Sequence, residues 1–273
     1  MGKFDGILIC TDLDGTLYRN DKTISKENKE AISYFKQEGG YFTFITGRMP
    51  YYSLDAYYAV EPNVAFGCLN GGALYDGAKK EYVWTCDALP EVMELVRCID
   101  DRFDTMGIQI CGFDRSYFLK DNSTMEYFRQ VTKVPYVTCG YEGIAEPVAK
   151  ILLGTDFADD IVELERMLKA HPRSNEFEFI RSERRLFEIL PKGINKGMAI
   201  TKFAEYLNID IKNTVAVGDY NNDIAMIKTA GVGVAVSNAC KEALEAADRV
   251  TVSNEEHALA QIIYDIESGK ITF

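Results

Sequence analysis

Short apolar stretches that each stop at a polar cluster restrict this chain more than any other feature. Residues 7–11, ILICT, run directly into Asp12-Leu13-Asp14-Gly15-Thr16. Residues 41–46, YFTFIT, stop at Gly47-Arg48, and residues 214–218, TVAVG, stop at Asp219. Runs this short, with no polar alternation, suit strands covered on both faces. Between the first two lies a helix: Ser25 is its N-cap, Ile32 and Phe35 share one face, and Gly39-Gly40 end it. Residues 64–69 read as a further strand ending at Asn70-Gly71-Gly72. Strand, helix, strand in that order predicts a parallel α/β sheet.

The pattern changes near residue 73, where residues 73–84 read as two strands about an Asp-Gly turn. Hairpin-like pairs at 107–120 and 175–190 then mix with helices near 89–101, 123–132 and 158–170. After Pro191 the α/β alternation returns, with a helix over 196–207, strands at 214–218 and 231–236, and a helix at the C-terminus. The expected layout is a parallel-sheet domain built from 1–82 and 187–273, interrupted by an α+β module over 83–186.

Composition then removes several functions. The longest unbroken apolar run, at 56–60, has five residues, whereas a membrane-spanning helix needs about 20. The formal net charge of −12 repels phosphate-rich polymers, which argues against nucleic acid. Seven cysteines form no C-x-x-C pair, so a disulfide framework or zinc site is not expected, and a reducing cytoplasm is the expected compartment. The start, MGKFDGILIC, carries no secretory pattern, and no obligate protein partner is evident. The two histidines, His171 at a helix end and His257 in a polar C-terminal helix, are too few for imidazole chemistry. Carboxylates, lysine, hydroxyls or a hard metal ion are left to do the work.

Those groups sit where strands end, which is where open parallel sheets bind ligands. Asp12 and Asp14, two apart past a buried strand, repel each other unless a cation or a shared proton intervenes. An all-oxygen site of this kind suits Mg2+, although Asp and Gly also form ordinary turns. The Thr46 hydroxyl and nearby N–H groups of Thr46-Gly47-Arg48 can hold phosphate oxygens. Lys196 opens a helix within GINKG, but the Walker spacing is absent. Gly218-Asp219-Tyr220-Asn221-Asn222-Asp223 starts like an EF-hand loop and then fails, with Ile224 at the sixth position and Ala230 at the twelfth.

Taken together and in this order, DLDGTL, TGR, Lys196 and GDYNND resemble the four motifs of the haloacid dehalogenase superfamily. NGG at 70–72, LFEILPKGINKG at 186–197, GDYNNDIAM at 218–226, SNA at 237–239 and AADRVT at 246–251 resemble its Cof-type branch of sugar-phosphate phosphatases. The chain departs from that branch at Asn195, often Ser there, and at His257, where Gly is common. The resemblance implies a Rossmann-like core with an inserted α+β cap. It also implies a Mg2+-dependent phosphatase acting on small phosphorylated metabolites, sugar phosphates foremost, through an aspartyl-phosphate.

By the same resemblance Asp12 is the nucleophile, an already ionised carboxylate of ordinary pKa, and Asp14 is the general acid–base, its pKa raised by Asp12. Mg2+ is held by Asp12, the Asp14 backbone carbonyl and Asp219. Lys196 neutralises charge, while the Thr46 and Gly47 N–H groups and Asn222 hold the phosphoryl oxygens. Arg48 meets substrate or pairs with an acidic loop residue, and Asp223 orients Lys196 or metal-bound water. Arg181, Arg184 and Arg185 are candidates for substrate contact, against the simpler reading of solvated charges. A phosphomutase or phosphotransferase would use the same intermediate. A non-catalytic binding protein on this fold is disfavoured, because every catalytic position is intact.

Overall fold

Leu8, Ile9 and Cys10 are consecutive and all fully buried, so the strand that carries them is covered on both faces. The computed structural model describes residues 2–133, 135–145 and 147–273. It divides into two units, Met1–Trp84 with Asn195–Phe273, and Thr85–Ile194. Chain order runs β1 (Leu8–Thr11), α1 (Lys26–Gln37), β2 (Tyr41–Phe44), α2 (Leu54–Val60), β3 (Phe66–Cys68), β4 (Ala73–Asp76) and β5 (Glu81–Thr85). The second unit holds α3 (Val92–Arg102), β6 (Gly107–Cys111), β7 (Ser116–Lys120), α4 (Ser123–Thr132), β8 (Tyr136–Thr138), β9 (Lys150–Gly154), α5 (Ala158–Ala170), β10 (Phe177–Glu183) and β11 (Leu186–Pro191). The chain then returns with α6 (Lys196–Leu207), β12 (Thr214–Gly218), α7 (Ile224–Thr229), β13 (Val232–Val236), α8 (Lys241–Ala246), β14 (Arg249–Thr251) and α9 (Ala258–Glu267).

The first unit is built on a parallel sheet in the order β14-β13-β12-β1-β2. Register sets Thr11 level with Val217 on one side and with Phe44 on the other. The next residues of all three strands therefore emerge together at the carboxyl edge: Asp12, Ile45-Thr46, and Gly218-Asp219. Residues 64–69 do not extend this sheet as a further member. Instead β3 pairs antiparallel with β4, in a separate sheet β3-β4-β5, and touches the end of β2 through one parallel bridge, Ile45 to Gly67. Two helices start on side-chain caps, that of Ser25 as read in the sequence. The Ser25 side chain accepts from the Asn28 N–H, and that of Asn195 accepts from the Met198 N–H. Asn caps as well as Ser does, so the departure at position 195 keeps the cap chemistry.

The second unit has a six-stranded sheet, β10-β11-β9-β6-β7-β8. One face, with Ile108, Ile110, Ile151, Leu153 and Ile189, packs under apolar side chains of α3 and α5 such as Leu95, Ile99 and Leu164. The other face carries Phe118, Leu152 and Leu186, which pack against Met125 and Phe128 of α4. It also carries an ion pair, Lys150 Nζ to Glu188 Oε2 at 2.5 Å. Sequence patterning set the joints at 83 and 187, whereas the second unit runs over Thr85–Ile194. The later end follows from pairing, since β11 is bonded to both β9 and β10. β8, parallel to β7, was not expected from the sequence.

Candidate active site

Asp12 follows the last residue of β1, and its N–H donates to the Val217 carbonyl at 2.8 Å, so backbone pairing fixes it beside the end of β12. Lys196, the first residue of α6, reaches the same point. Its Nζ lies 2.6 Å from Asp12 Oδ1 and 2.6 Å from Asp223 Oδ1. The lysine is 1% exposed and Asp223 is fully buried. Asp223 uses its other oxygen to accept from the N–H groups of Asp219 and Tyr220, which folds the turn after β12 around it. Asp219 accepts from the Thr16 hydroxyl at 2.9 Å. One carboxylate oxygen from each of Asp12, Asp219 and Asp223 lies within 4.8 Å of the others.

Gly15 is required twice here. Its φ is +78°, and a Cβ at that position would stand 2.5 Å from Asp219 Oδ2. The loop between Asp12 and Thr16 can therefore approach the Asp219 carboxylate only through a glycine.

The electrostatics are unbalanced. Burial pushes the Asp12 carboxyl well above its usual range; the Lys196 ammonium opposes this, and the Asp223, Asp219 and Asp14 carboxylates add to it. Burial and the neighbouring Asp223 raise Asp219 to about 6. The expectation of an ordinary Asp12 carboxyl is thus corrected, because the strand end that holds it is dry. Three acids facing one ammonium leave negative charge uncompensated, and every donor is a hard oxygen. Hard oxygen donors of this kind could hold a divalent cation.

Asp14 points elsewhere. Its carboxylate takes Arg48 Nη2 at 2.6 Å and Arg48 Nε at 3.0 Å, and Lys22 Nζ at 2.8 Å. Burial alone would raise its pKa, but the Arg48 and Lys22 charges outweigh it and hold the carboxyl below its usual range. The expected upward shift from Asp12 is therefore overturned. Arg48 takes the second of its two anticipated roles, pairing with an acidic loop residue, and its guanidinium also stacks 4.1 Å from the Tyr52 ring centre. Lys22 had no sequence signal beyond its own charge.

The other anticipated phosphate ligands are only partly disposed as expected. Thr46 is buried, and its N–H donates to the Gly67 carbonyl at 3.0 Å, because the chain after β2 still pairs with β3. That N–H is not directed at a ligand. The Thr46 hydroxyl accepts from the Arg48 N–H at 3.3 Å. Gly47 lies against the Asn70 side chain, whose Oδ1 accepts from Asn222 Nδ2 at 3.2 Å. Asn70, seen in the sequence only as part of NGG, thus links the loop after β2 to the turn after β12. Arg181, a candidate for substrate contact, donates to the Arg184 carbonyl at 3.0 Å within its own hairpin.

A parallel sheet ending in these charges has known counterparts. The family described as haloacid dehalogenase-like hydrolase matches residues 9–263, and the chain belongs to it. The chain is 27% identical over 259 residues to the 5-amino-6-(5-phospho-D-ribitylamino)uracil phosphatase YitU of Bacillus subtilis, covering 94% of this chain and 96% of that protein. It is 25% identical over 281 residues to the phosphatase YwpJ of Bacillus subtilis, covering 94% of this chain and 98% of that protein. Among solved structures, a haloacid dehalogenase-like hydrolase from Bacteroides thetaiotaomicron superposes with a TM-score of 0.82 at 27% identity, covering 95% of this chain and 99% of that one. The α/β fold and the phosphatase class expected from the motifs both stand. Among the described residues, no helix is long and apolar enough to cross a membrane.

Proposed function

We propose that this phosphatase hydrolyses phosphoric monoesters of small metabolites, phosphorylated sugars and sugar-like polyols foremost, through a phosphoryl group carried on Asp12. The observation that carries the reading is the convergence of three distant segments on Asp12, which lies 2.6 Å from Lys196 Nζ and has a carboxylate oxygen within 4.8 Å of one from Asp219. The relative named for a phosphorylated ribityl compound supports the choice of substrate class.

Mg2+ is the ion proposed for the site, with the Asp12 and Asp219 carboxylates and the Asp14 backbone carbonyl as its protein ligands. Bound there, it would neutralise charge on the phosphoryl group that an anionic nucleophile must approach. The remaining steps belong to the chain. An Asp12 carboxylate oxygen bonds to phosphorus as the ester P–O bond breaks, and the leaving oxygen takes a proton from Asp14. Water then attacks phosphorus, Asp14 takes its proton, and the Asp12–phosphorus bond breaks to release phosphate. Lys196 compensates the charge of Asp12 throughout, and Asp223 holds Lys196 in place. Asp14, paired with Arg48 and Lys22, is a carboxylate suited to the second step. Donating a proton in the first step requires that pair to open.

The test is phosphate release from a panel of sugar and polyol phosphates with Mg2+, with EDTA, and with Asp12→Asn. The reading expects release that EDTA stops and that the variant lacks. Turnover that survives EDTA would remove the metal from the proposal, and near wild-type turnover by the variant would remove the nucleophile. Transfer only when a sugar acceptor is supplied would move the assignment to a phosphotransferase.

A further inference from the structure

Residues 237–239, SNA, entered only as part of a resemblance, yet the turn they form between β13 and α8 touches both acid-bearing loops. Asn238 Nδ2 donates to the Gly15 carbonyl at 2.8 Å. Two residues on, the Cys240 N–H donates to the Asp219 carbonyl at 2.8 Å. The turn is closed on itself by the Ala239 N–H, which donates to Val236 O at 3.0 Å. Gly15 is the residue whose Cα faces the Asp219 carboxylate, and the adjacent Thr16 hydroxyl bonds that carboxylate. One short turn thus holds the Asp12–Thr16 loop by a side chain and the Asp219 loop by its backbone, beside the place where the two loops meet.

Asn238 is itself fixed. Its Oδ1 accepts from the Asn254 N–H at 2.9 Å. Asn254, buried between β14 and α9, donates through Nδ2 to the Tyr18 carbonyl at 3.0 Å. The loop after β1 is therefore held at Gly15 and again at Tyr18 by two asparagines that are bonded to each other.

We infer that Asn238 is a positioning residue that sets the spacing between the loop of Asp12 and the loop of Asp219, and through it the affinity of the site for Mg2+. This rests on the proposed reading of Asp12 and Asp219 as ligands. Strand register fixes both loops along the sheet direction, and the link through Asn238 fixes them across it. Asn238 is solvent-exposed, so truncating it removes no apolar packing. Its loss should therefore register in the site far more than in the fold. Residues one step behind metal ligands typically change metal affinity by about 10–100-fold.

The experiment is calorimetric titration of the full chain with Mg2+ near neutral pH for wild type, Asn238→Ala and Asp219→Asn, with Mn2+ spin resonance as a second direct probe. Asn238→Ala should weaken Mg2+ binding roughly 10-fold. It should leave the metal-free melting temperature within about 3 °C of wild type. In turnover, the Mg2+ concentration for half-activation should rise in step, with most of kcat recovered at saturating Mg2+. Wild-type Mg2+ affinity in Asn238→Ala would overturn the inference. A lowered melting temperature with unchanged Mg2+ affinity would overturn it too, and reduce Asn238 to a fold contact. If wild-type binding survives Asp219→Asn, the reading of the site itself fails, and the positioning role fails with it.

Discussion

Lys196 in the first unit and Lys150 in the second are both buried ammonium groups, 1% and 4% exposed, and both touch carboxylates. Their surroundings differ. Lys150 faces Glu188 across the face of one sheet. Lys196 faces Asp12 and Asp223 directly, with Asp219 beside them. A buried ion pair is weak evidence for anything beyond specificity of packing, because desolvation offsets most of its attraction. An unmatched cluster raises the pKa values of its acids and is tolerated where chemistry needs it. The contrast teaches that burial of a lysine is uninformative by itself, and that the surplus of acids around it is what marks the site.

The contrast can be broken in order of effect. Asp12→Asn should lower phosphate release by at least about 10³-fold, with the circular dichroism spectrum unchanged. A loss below about tenfold would place the nucleophile elsewhere. Next, Lys150→Met alone should destabilise by about 3–5 kcal/mol, because it removes the ammonium that faces the buried Glu188 carboxylate. The double change Lys150→Met, Glu188→Leu should return chemical-denaturation stability to within about 1 kcal/mol of wild type, or above it. If the double variant is as unstable as the single one, removing both charges does not relieve the loss and the comparison fails.

The unmatched cluster should behave in the opposite way. Asp219 is raised from 3.8 to about 6, so folding favours its protonated form. That contribution to stability is fully present below the unfolded value and is lost as pH rises through about 6. The metal-free melting temperature should accordingly fall over this window, and Asp219→Asn should flatten the profile. At neutral pH the same variant should be more stable than wild type without metal, by on the order of 1 kcal/mol after allowance for partial exposure. Mg2+ needs the deprotonated carboxylate, so it should raise the melting temperature more at about pH 7.5 than at about pH 5. An equal rise at both would contradict the assignment of Asp219 as a ligand. The smallest effect concerns His257, whose φ of +64° lies in the left-handed region. His257→Gly should stabilise by up to about 1 kcal/mol in thermal unfolding.

The elements legible in the sequence were those with a local cause. β1 and β12 were announced by continuous apolar runs, and α1 by the Ser25 side chain that caps it, whereas the Asn195 cap of α6 is seen only in the structure. The candidate site was legible because the residues proposed for it sit at strand and helix ends. What escaped were relations between loops. Nothing in the sequence brings Lys22 to Asp14 or singles out Asp14 as the acidic partner of Arg48, and no periodic pattern shows that Gly67 occupies the Thr46 N–H. β8 is three exposed residues held by pairing to β7, so it has no hydrophobic face to read. His257 was assigned to a helix, yet it is the left-handed residue before α9. A glycine would adopt that backbone without strain, whereas His257 carries a side chain there.

The position of β1 has a consequence for synthesis. It sits between β2, which follows within a few dozen residues, and β12, which begins at Thr214. Until that late segment leaves the ribosome, one margin of β1 keeps its amide and carbonyl groups unmatched. At ordinary elongation rates the roughly 200 intervening residues take roughly 10–40 s. During that interval a nascent chain exposes an apolar strand edge next to Asp12.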